Sequence, residues 1–210
     1  MKYKITDIKA DELPFGDFLT SRYSMTVRVK AEECYEMSKM ENIPFFNLTV
    51  ACILEAINEI PEFKLRIKDS DIIEYDHINA VSPIMQEDYS IREIEIVPPS
   101  EFEDIYKWND YVENKKANIE DNQFLVEPMM RDELPIANLS CIPWIDFDSM
   151  TNIIASPNQI MPVISWGKLV DGRIPISMTA SHVFIFGWHF KLFYEKTEEY
   201  LTNPERLFEK

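Results

Sequence analysis

Three histidines (His77, His182 and His189) and three cysteines (Cys34, Cys52 and Cys141) are the side chains best suited to move a proton or attack a substrate at neutral pH. His182 stands apart because of where it falls. In Thr179-Ala180-Ser181-His182-Val183-Phe184-Ile185-Phe186-Gly187-Trp188-His189, a strand-like run ends, a glycine follows and an amphipathic helix begins. Upstream, Ile174, Ile176, Met178, Ala180 and His182 alternate with Pro175, Ser177, Thr179 and Ser181, so a period of two puts the imidazole at the end of an apolar stripe. There its basicity can be tuned by burial and its tautomer fixed by one hydrogen bond, as a general base requires. The spacing alone equally fits a core histidine satisfied by a backbone carbonyl. No two histidines stand at i, i+4 or as H-x-H, so no metal site is expected. The cysteines are odd in number and lack C-x-x-C spacing, which predicts reduced, buried thiols.

The elements that must position His182 follow from patterning. Residues 1–18 read as an irregular lead-in with Pro14-Phe15-Gly16 as a turn. A strand is expected over Tyr23–Val29, a short polar helix over Ala31–Met40 and a buried helix over Pro44–Ile60, stopped by Pro61. A hairpin over Phe63–Ile67 and Ile72–Tyr75 comes next, then strands at Ala80–Met85 and Ile91–Val97. Ser100 is placed as the cap of a helix running toward Asn118, and Pro128–Pro135 as a loop. Strands are expected at Ile136–Ile142 and Ile153-Ile154. Met161–Val170 and Arg173–His182 should form a hairpin across Asp171-Gly172, which suits a type I′ turn, and Gly187–Leu201 a closing helix. Trp144 and Trp166 are expected in the core, Trp188 at the helix start, and Trp108 on either side of the boundary. Without regular βαβ alternation this is an α+β sandwich in one domain spanning 1–210.

Composition narrows the partners. The formal charge is −16 over 210 residues, which argues against nucleic acid and anionic membrane surfaces. No apolar run reaches a membrane-spanning length, so the chain reads as soluble and cytoplasmic. Four glycines leave no material for a Rossmann fingerprint or a P-loop.

Five blocks in order carry a family resemblance: Ile60-Pro61-Glu62-Phe63-Lys64-Leu65-Arg66-Ile67-Lys68-Asp69, Ile72-Ile73-Glu74-Tyr75-Asp76, Pro143-Trp144-Ile145-Asp146-Phe147-Asp148-Ser149, Gly167-Lys168, and His182 to Gly187. From near residue 23 to near residue 202 the chain resembles the chloramphenicol acetyltransferase family. The resemblance implies a two-layer α+β sandwich, a mixed sheet with helices on one face. It implies acetyl-CoA as co-substrate, no metal, a small hydroxylated acceptor such as chloramphenicol, and a homotrimer with active sites between subunits. His182 matches the family's base in an H-x-x-x-D-G motif, and Gly187 its glycine. Phe186 replaces the motif aspartate, whose arginine partner near the amino terminus is also missing. Loss of both members of such a pair can be nearly neutral.

Asp146 matches a serine that in the family donates to the oxyanion. An ionised carboxylate cannot donate, so either Asp146 is protonated or it points away and Ser149 or Ser140 contributes. The alternative to an active enzyme is an impaired or inactive trimeric relative that binds a small ligand. The related D-H-R-x-x-D-G signature of 2-oxoacid dehydrogenase acyltransferases fails at Ser181, Val183 and Phe186.

Overall fold

The computed structural model describes residues 1–210 apart from 11–12, 15–18, 120–133, 154, 158 and 210. Its elements are β1 (Tyr3–Lys9), β2 (Arg22–Lys30), α1 (Glu32–Met40), α2 (Phe45–Asn58), β3 (Leu65–Lys68), β4 (Asp71–Tyr75), β5 (Asn79–Met85), β6 (Ile91–Ile96), α3 (Ile105–Ala117), β7 (Ile136–Cys141), β8 (Val163–Trp166), β9 (Arg173–Ser181) and α4 (Gly187–Thr202). Six strands form one sheet in the order β2-β9-β8-β7-β5-β6, and β1-β4-β3 form a second. β7 runs parallel to β5 and β8 while the other pairs are antiparallel, so the large sheet is mixed. This is the α+β sandwich the sequence implies.

β9 explains the two layers. On one face Ile174, Ile176, Met178 and Ala180 join Leu48, Ile53, Phe190 and Phe193 of the helices in a continuous apolar core. On the other, Ser177 and Thr179 are covered by the segment leading into β8. Ser177 Oγ donates to the Met150 carbonyl at 3.0 Å, Ser165 Oγ to Asn152 Oδ1 at 2.7 Å, and Asn152 Nδ2 to Thr179 Oγ1 at 3.0 Å. Burial of these hydroxyls on the second face of the sheet is tolerated because each of them has a partner. β9 is therefore closed in on both sides, which fixes where its carboxyl end points. The Asp171-Gly172 turn has φ of 49° and 71°, the left-handed pair a type I′ hairpin needs, and sets the register of β9 against the chain before it.

α2 is buried nearly all round, between α1 and α4. Its fully buried Asn47 is satisfied by Asn109, Glu113 and Lys116 of α3. Arg66 of β3 is also buried, and donates to the carbonyls of Phe63, Leu65, Leu134 and Ile136, tying the small sheet to the start of β7.

Several expectations are corrected. Residues 3–9 form β1, whose Tyr3, Lys4 and Ile5 pair with β4; exposure of Tyr3, Ile5 and Ile8 had left no clear alternation. Phe63 belongs to a 3₁₀ turn, Pro61–Lys64, before β3. Ser100 lies in another 3₁₀ turn, and Asp104 caps α3 by accepting from the Lys107 N–H at 2.7 Å. Ile153 is 90% exposed and in no strand, because the segment crosses the sheet face instead of joining it. Trp144 is 64% exposed, while Trp108 is buried and donates from Nε1 to the Val97 carbonyl at 2.7 Å. Phe15, Gly16, Ile154 and most of Pro128–Pro135 lie outside the described residues.

Candidate active site

Strand β9 stops at Ser181, where the backbone turns sharply. The Ile185 N–H returns to the Ser181 carbonyl at 2.9 Å, and the His182 N–H crosses to the Ser21 carbonyl at 2.7 Å. Ser21 and Ser181 share a hydroxyl hydrogen bond at 2.9 Å beneath this turn. Val183, Phe184 and Ile185 are buried and anchor it, leaving His182 half-buried at the rim.

The imidazole is held by rings. Tyr23 of β2 stacks on it with centroids 4.7 Å apart and planes at 28°. Phe186 meets it edge-on at 5.0 Å and 73°. Tyr23 is itself fixed, because its hydroxyl donates to the Ile185 carbonyl at 2.9 Å and its ring leans on Phe190 at 4.8 Å. Burial pushes the Tyr23 phenol up to about 12, so it stays protonated and keeps donating. A half-buried histidine with a fixed ring plane at a strand-to-helix turn can take a proton from a bound hydroxyl.

Gly187 opens α4, and a Cβ there would meet nothing within 4 Å. Phe186 is the residue before that helix. Its N–H donates to His189 Nδ1 at 2.9 Å, so the third residue of the first turn caps the helix from within. The Phe186 ring has no acceptor and contributes nothing to that cap. His189 Nε2 lies 3.7 Å from Glu62 Oε1. His189 thus has a structural task. His77 Nδ1 lies 3.4 Å from Glu101 Oε1.

A cavity of about 920 Å³ opens at the other end of the sheet. Phe45, Phe46, Trp144, Trp166, Ser140 and Lys168 are among its walls. It sits where β5, β7 and β8 end, and Trp166 is in register with Ile176 of β9. His182 comes six residues beyond Ile176, about 20 Å along the strand. Within one chain, histidine and cavity do not meet.

Asp146 is not in the cavity wall. Its Oδ1 accepts from Arg28 Nη1 at 2.6 Å, while Asp148 Oδ1 accepts from Nη2 at 2.9 Å. The two carboxylates, Asp146 first, hold the Arg28 guanidinium above its ordinary range. Arg28 is opposite Pro175, so this cluster too is at the far end from His182. Of the two serines considered as substitutes, Ser140 lines the cavity and Ser149 is exposed outside it. The structural signal for Ser140 is its place at the end of β7, one residue before Cys141, which the sequence alone did not separate from Ser149.

A model of the chloramphenicol acetyltransferase family matches residues 11–197. The chain belongs to that family. Among its curated relatives, a chloramphenicol acetyltransferase of Staphylococcus aureus is 26% identical over 192 residues, covering 87% of this chain and 86% of that one. Chloramphenicol acetyltransferase 3 of Escherichia coli is 22% identical over 194 residues, covering 89% and 86%. A solved chloramphenicol acetyltransferase superimposes with a TM-score of 0.77 at 28% identity, over 88% of this chain and 90% of that one. A dihydrolipoamide acetyltransferase of Azotobacter vinelandii gives 0.65 at 11% identity, over 90% and 84%, and shares the fold alone.

The cysteines are poorly placed for nucleophilic work. Burial raises the Cys52 thiol well above its usual range and pushes Cys141 up to about 12. Among the described residues no cluster could hold a metal, and no helix is long and apolar enough to cross a membrane.

Proposed function

We propose that the chain is an acetyl-CoA-dependent O-acetyltransferase acting on chloramphenicol or a similar small hydroxylated acceptor. His182 takes the hydroxyl proton as the oxygen attacks the thioester carbonyl. The tetrahedral intermediate then collapses, the C–S bond breaks, and the leaving thiolate recovers the proton from the imidazolium. No acyl-enzyme is required. The observation that carries this reading is the half-buried His182 ring, fixed between Tyr23 and Phe186, in a chain the family matches over 11–197.

The geometry supports a site built from two copies. A cavity with no histidine among its described walls, and a histidine about 20 Å from that cavity, become one site when a neighbour brings its own His182. Exposed aromatic surface occurs at both halves, Trp144 at the cavity and Trp188 beside His182, as expected of surfaces that cover one another. The family resemblance supports a homotrimer as that assembly. In this arrangement Ser140, not Asp146, donates to the oxyanion, because Asp146 is an acceptor already engaged by Arg28. Lys168, exposed at the cavity wall, is a cation that coenzyme A phosphates can meet.

Thiol release from acetyl-CoA, followed with chloramphenicol and a panel of other small alcohols, tests the reading. Turnover that disappears in His182→Ala is expected. An inactive relative that binds a small ligand is the second reading, favoured by Phe186 in place of the motif carboxylate. It would be established by acceptor binding without turnover across the panel.

A further inference from the structure

Phe186 is 39% exposed, so core burial does not explain an aromatic residue there. Its contacts do. The ring meets His182 in a T-shaped contact with centroids 5.0 Å apart, and His189 at 5.7 Å. Its backbone is fixed by the cap, the Phe186 N–H donating to His189 Nδ1 at 2.9 Å. His182 is also stacked on by Tyr23, which is pinned at its hydroxyl by Ile185 and on its ring by Phe190. The imidazole is therefore in contact with two rings, one near-parallel and one near-perpendicular. Such aromatic pairs have preferred geometries and restrict rotation.

We propose that Phe186 is a positioning residue for His182: with Tyr23 it clamps the imidazole plane, doing by ring contact what the motif carboxylate does elsewhere through an ion pair. The proposal rests on the reading of His182 as the base. Loss of the Phe186 contact leaves the base present and still stacked on Tyr23, but less restrained about its side-chain bonds. Orientation is lost while binding of acetyl-CoA is kept, so kcat should fall and KM should hold.

Phe186→Leu removes the ring and keeps an apolar side chain; Phe186→Met serves the same purpose if the leucine variant does not fold. Phe186→Tyr keeps the ring. In the leucine variant kcat is expected to fall about 10- to 100-fold, with KM for acetyl-CoA within about twofold. The tyrosine variant should recover most of kcat. Phe186→Asp, which restores the motif carboxylate but removes the ring, should lose activity like leucine.

With nitrogen-labelled histidine, the ring signals of only three residues need assignment. Those of His182 should shift in Phe186→Leu and stay close to wild type in Phe186→Tyr. Unchanged His182 signals and unchanged kcat in the leucine variant would overturn the clamp, as would higher activity in Phe186→Asp. If wild type itself acetylates nothing, the acetyltransferase reading fails. The ring spectra then decide the clamp alone.

Discussion

Arg28 and Asp146 form a close ion pair, Nη1 to Oδ1 at 2.6 Å, and the Arg28 Nη2 also reaches the Phe147 carbonyl at 3.3 Å. The pair fastens the segment after Pro143-Trp144 to the edge strand β2. Asp146 thereby holds the position of this loop, and the proposed function gives the oxyanion to Ser140. Asp146→Ser should change kcat by less than about threefold, whereas Ser140→Ala should lower it about 10²- to 10³-fold, the usual worth of one donor. Steady-state rates of the two variants check this. A large gain on Asp146→Ser would return the oxyanion role to position 146.

Gly167 holds the same loop from the other side. A Cβ at this position would lie 2.5 Å from the Ile145 carbonyl oxygen, 2.8 Å from Pro175 Cγ and 2.9 Å from Phe147 Cε1. The Lys168 N–H donates to that Ile145 carbonyl at 2.8 Å, so the backbone cannot easily back away. Gly167→Ala is expected to destabilise the protein by about 1–3 kcal/mol, the range for overpacking. Urea denaturation of both proteins measures it, and equal midpoints would show that the loop yields freely.

Glu59 links α2 to α4. Burial alone would raise its carboxyl, but hydrogen bonds from Lys196 and Tyr200, the latter at 2.5 Å, outweigh burial and hold it below the ordinary range. A carboxyl depressed on folding contributes stability that is present above its unfolded value, about 4.3 for glutamate, and is lost as pH falls through the folded value. Melting temperatures from pH 7 down to pH 3 should therefore drop less steeply in Glu59→Gln than in wild type. Parallel curves would remove this carboxyl from the acid limb.

The strand-to-helix junction at His182 was legible because periodicity changes there, from two in Ile174–Ala180 to helical spacing after Gly187. The Asp171-Gly172 turn was legible because few dipeptides accept two left-handed residues. β1 was not, since an edge strand with exposed apolar residues shows no buried stripe. The partner of Asp146 was not legible, because sequence gives its neighbours in the chain but not Arg28, 118 residues away. The rings around His182 escaped notice for the same reason: Tyr23 comes from the other end of the chain, and Phe186 read as a loss instead of a contact.

The claim that one copy's His182 serves another copy's cavity is tested most directly by mixing two disabled proteins. His182→Ala keeps the cavity and Ser140→Ala keeps the base. Each alone should be almost inactive. Unfolded and refolded together in equal amounts, they should recover about a quarter of wild-type turnover, because one contact in four joins an intact cavity to an intact histidine. Activity no higher than the sum of the two separate variants, in mixed oligomers shown to contain both chains, would contradict a shared site and place the chemistry within a single chain.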